Sequence, residues 1–146
     1  MSGKILAVCI SKNKGVQKNN VNTVKIKADY GIEGDAHAGL EYRQVSLLAV
    51  ESIAKMKERG LVLKYGDFGE NIVTEGIDLL ALPVGTRIKL GSSVIGEVTQ
   101  IGKVCHQRCA IYYQAGDCIM PREGIFLKIL VGGKISVGDK IEIIQN

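Results

Sequence analysis

The chain of 146 residues has no tryptophan and only seven other aromatic residues, two Phe and five Tyr. Proteins that grip single-stranded nucleic acid stack its bases on aromatic side chains, and that platform is poorly supplied here. A basic stripe is missing too. The 19 Lys and Arg exceed the 15 Asp and Glu, giving a net charge of +4, but they are scattered apart from "KNKGVQK" at Lys12 to Lys18. That stretch reads as a solvated loop, and the balance suits a small anionic ligand better than a long duplex. No run approaches the roughly 18 consecutive apolar residues of a membrane span. The opening "MSGKILAVCISKNKG" has one Lys and a short apolar run before Ser11, a first strand more readily than a signal peptide. No nucleic-acid partner, no membrane and a cytoplasmic location are therefore expected. In that compartment four cysteines are thiols, metal ligands or catalytic groups rather than disulfides.

With 46% hydrophobic and 23% charged residues and no linker or low-complexity tract, residues 1–146 read as one globular domain. Strands are expected at Lys4–Ser11, around Val24 and Ile26, and near Asn71–Val73, Thr86–Leu90, Val94–Ile101, Ile125–Val131 and Lys140–Ile144. "VGTRIKL" (Val84–Leu90) is echoed by "VGDKIEI" (Val137–Ile143). Each is a glycine turn followed by alternating apolar and charged residues, a pattern that suits strands of a closed barrel. One helix is expected from about Leu47 to Arg59, with Ser46 as its N-cap and Gly60 as its exit. Val50, Ile53 and Ala54 share a face of it, and Glu51 and Lys55 form an i,i+4 pair. Before it lies "YGIEGDAHAGLEYRQ", a loop of a length that is usually functional or disordered, whose Gly31, Gly34 and Gly39 permit turns.

The chemistry concentrates in "GKVCHQRCAIYYQAGDCIMPREG", Gly102 to Gly124, which holds three of the four cysteines and one of the two histidines. A closed tetrahedral zinc site needs four Cys or His ligands. Cys105 and Cys109 form a C-x3-C pair, but after Cys118 there is no further Cys or His, so His37 would have to come from far away. A reactive thiol fits better. Cations lower a thiol's pKa, and Cys105 has Lys103 and His106 beside it while Cys109 follows Arg108. Either thiolate could carry sulfur or bind a soft metal. Cys9, in an apolar strand, and Cys118, before Ile119 and Met120, read as buried hydrophobes. "MPREG" presents Arg122 between Pro121 and Gly124, where a guanidinium can grip phosphate or carboxylate. Upstream, Asp35 and His37 form a candidate orienting and acid–base pair. Arg43 and Ser46 form a candidate anion site, and Glu70 and Asn71 a polar pair that requires hydrogen-bond partners.

In order, "GIEGDAHAG", "RQVSLLAVES", "GDFGENIVTEGIDL", "LPVGTRIKLG", "EVTQIGKVCHQRC" and "DCIMPREGIFLKIL" resemble the small stand-alone bacterial MOSC domain, named for the C-terminal domain of molybdenum cofactor sulfurase. The resemblance runs from about Asp29 to Ile143. It implies a mainly β fold, a closed barrel-like sheet with one clear helix and short peripheral helices. It also implies chemistry on sulfur and the molybdenum cofactor (molybdopterin) through a cysteine. Amidoxime-reducing members ligate molybdenum with a cysteine, and stand-alone members are linked to sulfur delivery or reduction of N-hydroxylated compounds. Cys105 stands at the family's cysteine position, with Val104 where many members have proline. Cys109, in "RCAI", resembles the second cysteine of the reductase members. The implied site has Cys105 or Cys109 on molybdenum or sulfur, and Arg43, Arg108 and Arg122 toward the cofactor phosphate. Asp35 and His37 orient ligand or move protons, and Glu70 and Asn71 form the floor. Partners would be cofactor-biosynthesis or sulfur-donor proteins. A non-catalytic sulfur or cofactor carrier is the alternative, and a zinc-stabilised binding module a third. Pyridoxal phosphate, attached to the family in broad descriptions, has no support among these residues.

Overall fold

The structure, a computed structural model, describes residues 2–13, 17–60, 62–102 and 123–145. The strands are β1 (Ser2–Ile10), β2 (Asn19–Val21), β3 (Thr23–Lys27), β4 (Gly31–Ile32), β5 (Val45–Ala49), β6 (Ile72–Glu75), β7 (Arg87–Leu90), β8 (Val94–Ile101), β9 (Ile125–Val131), β10 (Gly133–Ser136) and β11 (Lys140–Gln145). Helix α1 spans Val50–Lys57. The short peripheral helices expected come down, among the described residues, to one 3-10 turn at Leu79–Ala81.

Seven strands close into a barrel in the order β1, β11, β7, β8, β9, β5, β6 and back to β1. The β1–β11 seam pairs Ser2 with Glu142 and Lys4 with Lys140. Neighbours are antiparallel except β5 and β6, which run parallel. β2 hangs on β1 outside the ring, and β10, β3 and β4 form a second small sheet. The echoed segments are barrel neighbours. β7 and β11 pair with Leu90 opposite Ile141 and Ile88 opposite Ile143. Their shared alternation points Ile88, Leu90 and Ile141 into the core. That core also holds Ile5, Leu47, Ile72 and Leu127. Alternate residues Leu48, Val73 and Phe126 point outward into a second layer beneath α1, against Ile53 and Met56.

That second layer corrects the expected helix start. Residues 45–49 are a strand, and α1 begins only at Val50. Every residue of β5 is buried, because the barrel interior covers one face and the outer layer the other. A strand buried on both sides loses its alternation and reads as a continuous apolar run. Ser46 is therefore no helix cap but sits in the sheet. The buried helix face is Ser52, Ile53 and Met56, while Ala54 is exposed. Glu51 and Lys55 do not pair as expected: Glu51 Oε2 accepts the Gly76 N–H and Lys55 reaches Glu123. The exit is as expected, with Gly60 in the left-handed region. Among the described residues no helix is long and apolar enough to cross a membrane.

Candidate functional site

The glycine-rich loop after β4 turns where expected. Gly31 has φ 119°, and a Cβ there would lie 2.9 Å from the Gln44 carbonyl oxygen, so the close approach requires glycine. The loop docks on the end of β1, where Ala36 N–H donates to Ser11 O at 2.8 Å. This buries Asp35. Its Oδ1 accepts the Ser11 N–H at 3.1 Å and the Lys18 ammonium at 2.8 Å. Its Oδ2 accepts the His37 N–H at 3.0 Å and faces His37 Nδ1 at 3.6 Å. Burial opposes the charge on Asp35, yet the His37 ring and the Lys18 ammonium outweigh it and hold the carboxyl well below the usual carboxylate range.

Lys18 corrects the reading of "KNKGVQK" as wholly solvated. It is buried, and its ammonium also donates to Ser11 Oγ at 3.1 Å. The loop around residues 64–70 seats it, with Lys18 N–H donating to Gly66 O at 2.9 Å. A Cβ on Gly66 would run into the Lys18 carbonyl. Sequence reasoning missed Lys18 and Ser11 as members of this group. A buried lysine among basic neighbours has no distinct pattern.

The second group lies two residues back along β1. Asn71 Oδ1 accepts the Ser46 N–H at 3.0 Å, and Asn71 Nδ2 donates to Cys9 O at 3.0 Å. Beside it Glu70 is sealed from solvent. Its Oε1 accepts the Phe68 N–H at 3.1 Å, and its Oε2 has no hydrogen-bond partner among the described residues. Burial pushes the Glu70 carboxyl up to about 7, against the backbone donors of Gly66 and Phe68. Cys9 packs in the outer layer, its Sγ 3.4 Å from Asn20 Oδ1. Burial, with Glu70 adding to it, pushes that thiol up to about 12.

The third feature is the base of the cysteine-bearing segment. Gly102 N–H donates to Gly124 O at 2.6 Å, clamping its two ends where β8 and β9 meet. Glu123 is held on α1, its Oε1 accepting Ser52 Oγ at 2.6 Å and Lys55 Nζ at 2.9 Å. A cleft of about 410 Å³ runs alongside, lined by Glu51, Asp78, Leu79 and Glu123 among others. Ser46 pairs with Phe126, two residues beyond Gly124, so the clamp is offset from Ser46 by about 7 Å along the strand, toward Ala49 and α1. Thr99 Oγ1 donates to the Tyr42 carbonyl, which brings the stretch before Arg43 past β8 three residues short of Gly102. Arg43 itself is exposed.

The structure thus gathers Asp35, His37, Glu70 and Asn71 around the end of β1, with Ser46 bonded to Asn71 and Arg43 following the Tyr42 contact on β8. Cys105, Arg108, Cys109, Cys118 and Arg122 lie outside the described residues. Among the described residues no three His, Cys, Asp or Glu side chains come together as metal ligands.

The model of the MOSC domain matches residues 33–142. The chain belongs to the MOSC domain family. This family is associated with molybdenum-cofactor-related proteins. The MOSC domain described here is similar in structure to the YuaD protein from Bacillus subtilis, with a TM-score of 0.83 and 20% identity over 100% of this chain and 97% of that one. YiiM from Geobacillus stearothermophilus gives a TM-score of 0.74 and 18% identity over 98% and 75%. YiiM from Escherichia coli gives 0.69 and 16% over 100% and 71%. At such identities the likeness speaks for the shared MOSC fold. No curated protein matches the sequence.

Proposed function

We propose that this MOSC domain is a molybdenum-cofactor protein in which one thiolate, Cys105 or Cys109, ligates molybdenum or carries sulfur. The reaction would be sulfur transfer or the reduction of N-hydroxylated compounds. The observation that carries the reading is the Gly102–Gly124 clamp. It brings the two ends of the thiol-bearing segment together on the barrel wall, beside the Ser46–Phe126 pair.

The residues fit the group in chemistry. Thiolates are soft ligands suited to a sulfur-loving metal centre, and the exposed Arg43, with Arg108 and Arg122, supplies guanidinium forks for a phosphate. His37 Nδ1 is buried and, among the described residues, without a hydrogen-bond partner, beside an ionised Asp35, a pair able to hold or pass a proton. Ser46, Glu70 and Asn71 would shape the floor beneath. When bound, the molybdenum centre supplies the redox chemistry, and the chain binds, orients and moves protons.

The test is Cys105→Ser, Cys109→Ser and the double variant, purified natively. Molybdenum is measured by elemental analysis and sulfur as an adduct of roughly 32 Da on the intact protein. The working thiol is the one whose loss removes metal or adduct. Full molybdenum content and full sulfur transfer in the double variant would end the reading. Stoichiometric zinc with unfolding on chelation would replace it with the zinc-stabilised module. Turnover of an N-hydroxylated substrate makes the protein an enzyme, and an adduct without turnover makes it a carrier.

A further inference from the structure

We propose that Lys18 is a positioning residue that balances the charge of Asp35 in place, so that no uncompensated anion draws a second proton onto His37 and its Nε2 remains a proton acceptor. This rests on the reading of Asp35 and His37 as the proton-moving pair and names the residue that sets their charge.

The geometry is that of a built seat. Lys18 Nζ and Asp35 Oδ1 are 2.8 Å apart, with side chains only 1% and 0% exposed. A buried ammonium persists only with a partner, and Lys18 is fixed from three directions. Its side chain meets Asp35 and Ser11 Oγ, its backbone N–H meets Gly66 O, and its carbonyl fills the space that a Cβ on Gly66 would need. Asp35 is correspondingly divided. Oδ1 is taken by Lys18 and the Ser11 N–H, while Oδ2 faces the His37 N–H and ring.

His37 Nδ1 stands 3.6 Å from Asp35 Oδ2, too far for a hydrogen bond, but a carboxylate only accepts, so Nδ1–H is the tautomer this approach favours. Nε2 then holds the lone pair. An imidazolium has none to offer, so a site that takes a proton through His37 must keep the ring from gaining a second one. A lone buried carboxylate works against this, because the ring would be its only cation. The Lys18–Asp35 pair has no net charge and leaves the ring free to exchange a proton with ligand. Among the described residues, Asp67 and Glu70, on the loop against Lys18, and Cys9 on β1 are further ionisable groups near this seat. None of them makes a hydrogen bond to Asp35.

The test follows the His37 ring by nitrogen and carbon NMR in the full chain. Wild type is compared with Lys18→Met and with Lys18→Met/Asp35→Asn. In Lys18→Met the His37 titration midpoint should move up by about one pH unit or more. In the double variant, with the pair removed as a neutral unit, it should return to within a few tenths of wild type. A midpoint unmoved in Lys18→Met, or equally displaced in the double variant, overturns the proposal. Should Lys18→Met not fold, Lys18→Gln, neutral but still able to donate to Asp35, takes its place with the same expected upward move. In wild type the Nδ1–H tautomer at pH 7.5 supports the proposal, and an Nε2–H tautomer or an imidazolium overturns it. None of these readouts involves molybdenum. Loss of the cysteine reading would leave this result standing, and the reverse holds too.

Discussion

Ser46 and Asn71 clasp each other where β5 meets β6, each side chain accepting the other's backbone N–H. The Ser46 N–H donates to Asn71 Oδ1 at 3.0 Å, and the Asn71 N–H donates to Ser46 Oγ at 3.0 Å. The clasp sits at the start of the parallel pair, and Asn71 Nδ2 ties in β1 through Cys9 O. Truncating Asn71 to Ala leaves the buried Ser46 N–H and Cys9 carbonyl short of partners, so urea unfolding should show a loss of about 2–4 kcal/mol. Ser46→Ala should cost about 1 kcal/mol. A loss for Asn71→Ala no larger than that for Ser46→Ala would contradict the three-strand clasp.

Glu70 makes stability fall with rising pH. Its carboxyl titrates near 4.5 when unfolded and at about 7 when folded. Between those values the folded chain keeps a proton that the unfolded chain has released. The contribution is complete below about 4.5 and is lost as pH rises through 7. Relative to Glu70→Gln, wild type should lose about 1–3 kcal/mol between pH 5 and pH 8. Asp35 acts in the opposite sense and in a lower window. Its depressed carboxyl contributes stability above the ordinary carboxylate range and loses it on acidification. Parallel curves for wild type and Glu70→Gln across pH 5–8 would rule out the Glu70 effect.

Cys9 should be chemically silent. Burial and the neighbouring Glu70 push its thiol up to about 12, with Lys18 pulling the other way. Native protein treated with iodoacetamide at pH 8 should yield an unmodified Cys9 peptide by mass spectrometry, and denatured protein a modified one. Rapid labelling in the native state would contradict its place beneath the outer layer.

The two bonds to Glu123 Oε1 should differ in weight. Lys55 is 63% exposed, and its ion pair is screened by water. Lys55→Ala should cost no more than about 0.5 kcal/mol. Ser52 is buried and donates at 2.6 Å to a carboxylate, so Ser52→Ala should cost about 1–2 kcal/mol. Equal losses in thermal or urea unfolding would show that the helix holds Glu123 by charge alone.

The barrel was legible wherever one strand face met the core and the other met water, as in β7 and β8, because alternation survives there. It was hidden in β5, where Leu47 faces the interior and Leu48 the helix layer, so both register as core. β10 was missed because "GGKIS" carries more turn signal than strand signal, and only its pairing with β3 makes it a strand. Among the residues that meet near the end of β1, Asp35, His37, Ser46 and Asn71 stood out through residue type and glycine context. Lys18 did not, since only the fold separates a buried ammonium from the solvated lysines around it.

The β1–β11 seam joins residues 2–4 to residues 140–142, the two most distant parts of the barrel in sequence. The ring therefore cannot shut until the last strand has left the ribosome. Up to that moment the start of β1 and one edge of β7 stay unpaired, a template for a neighbouring nascent chain. Contacts of such long sequence separation also slow folding. For this barrel the hazardous interval opens during synthesis and closes only when the six residues of β11 find the first strand.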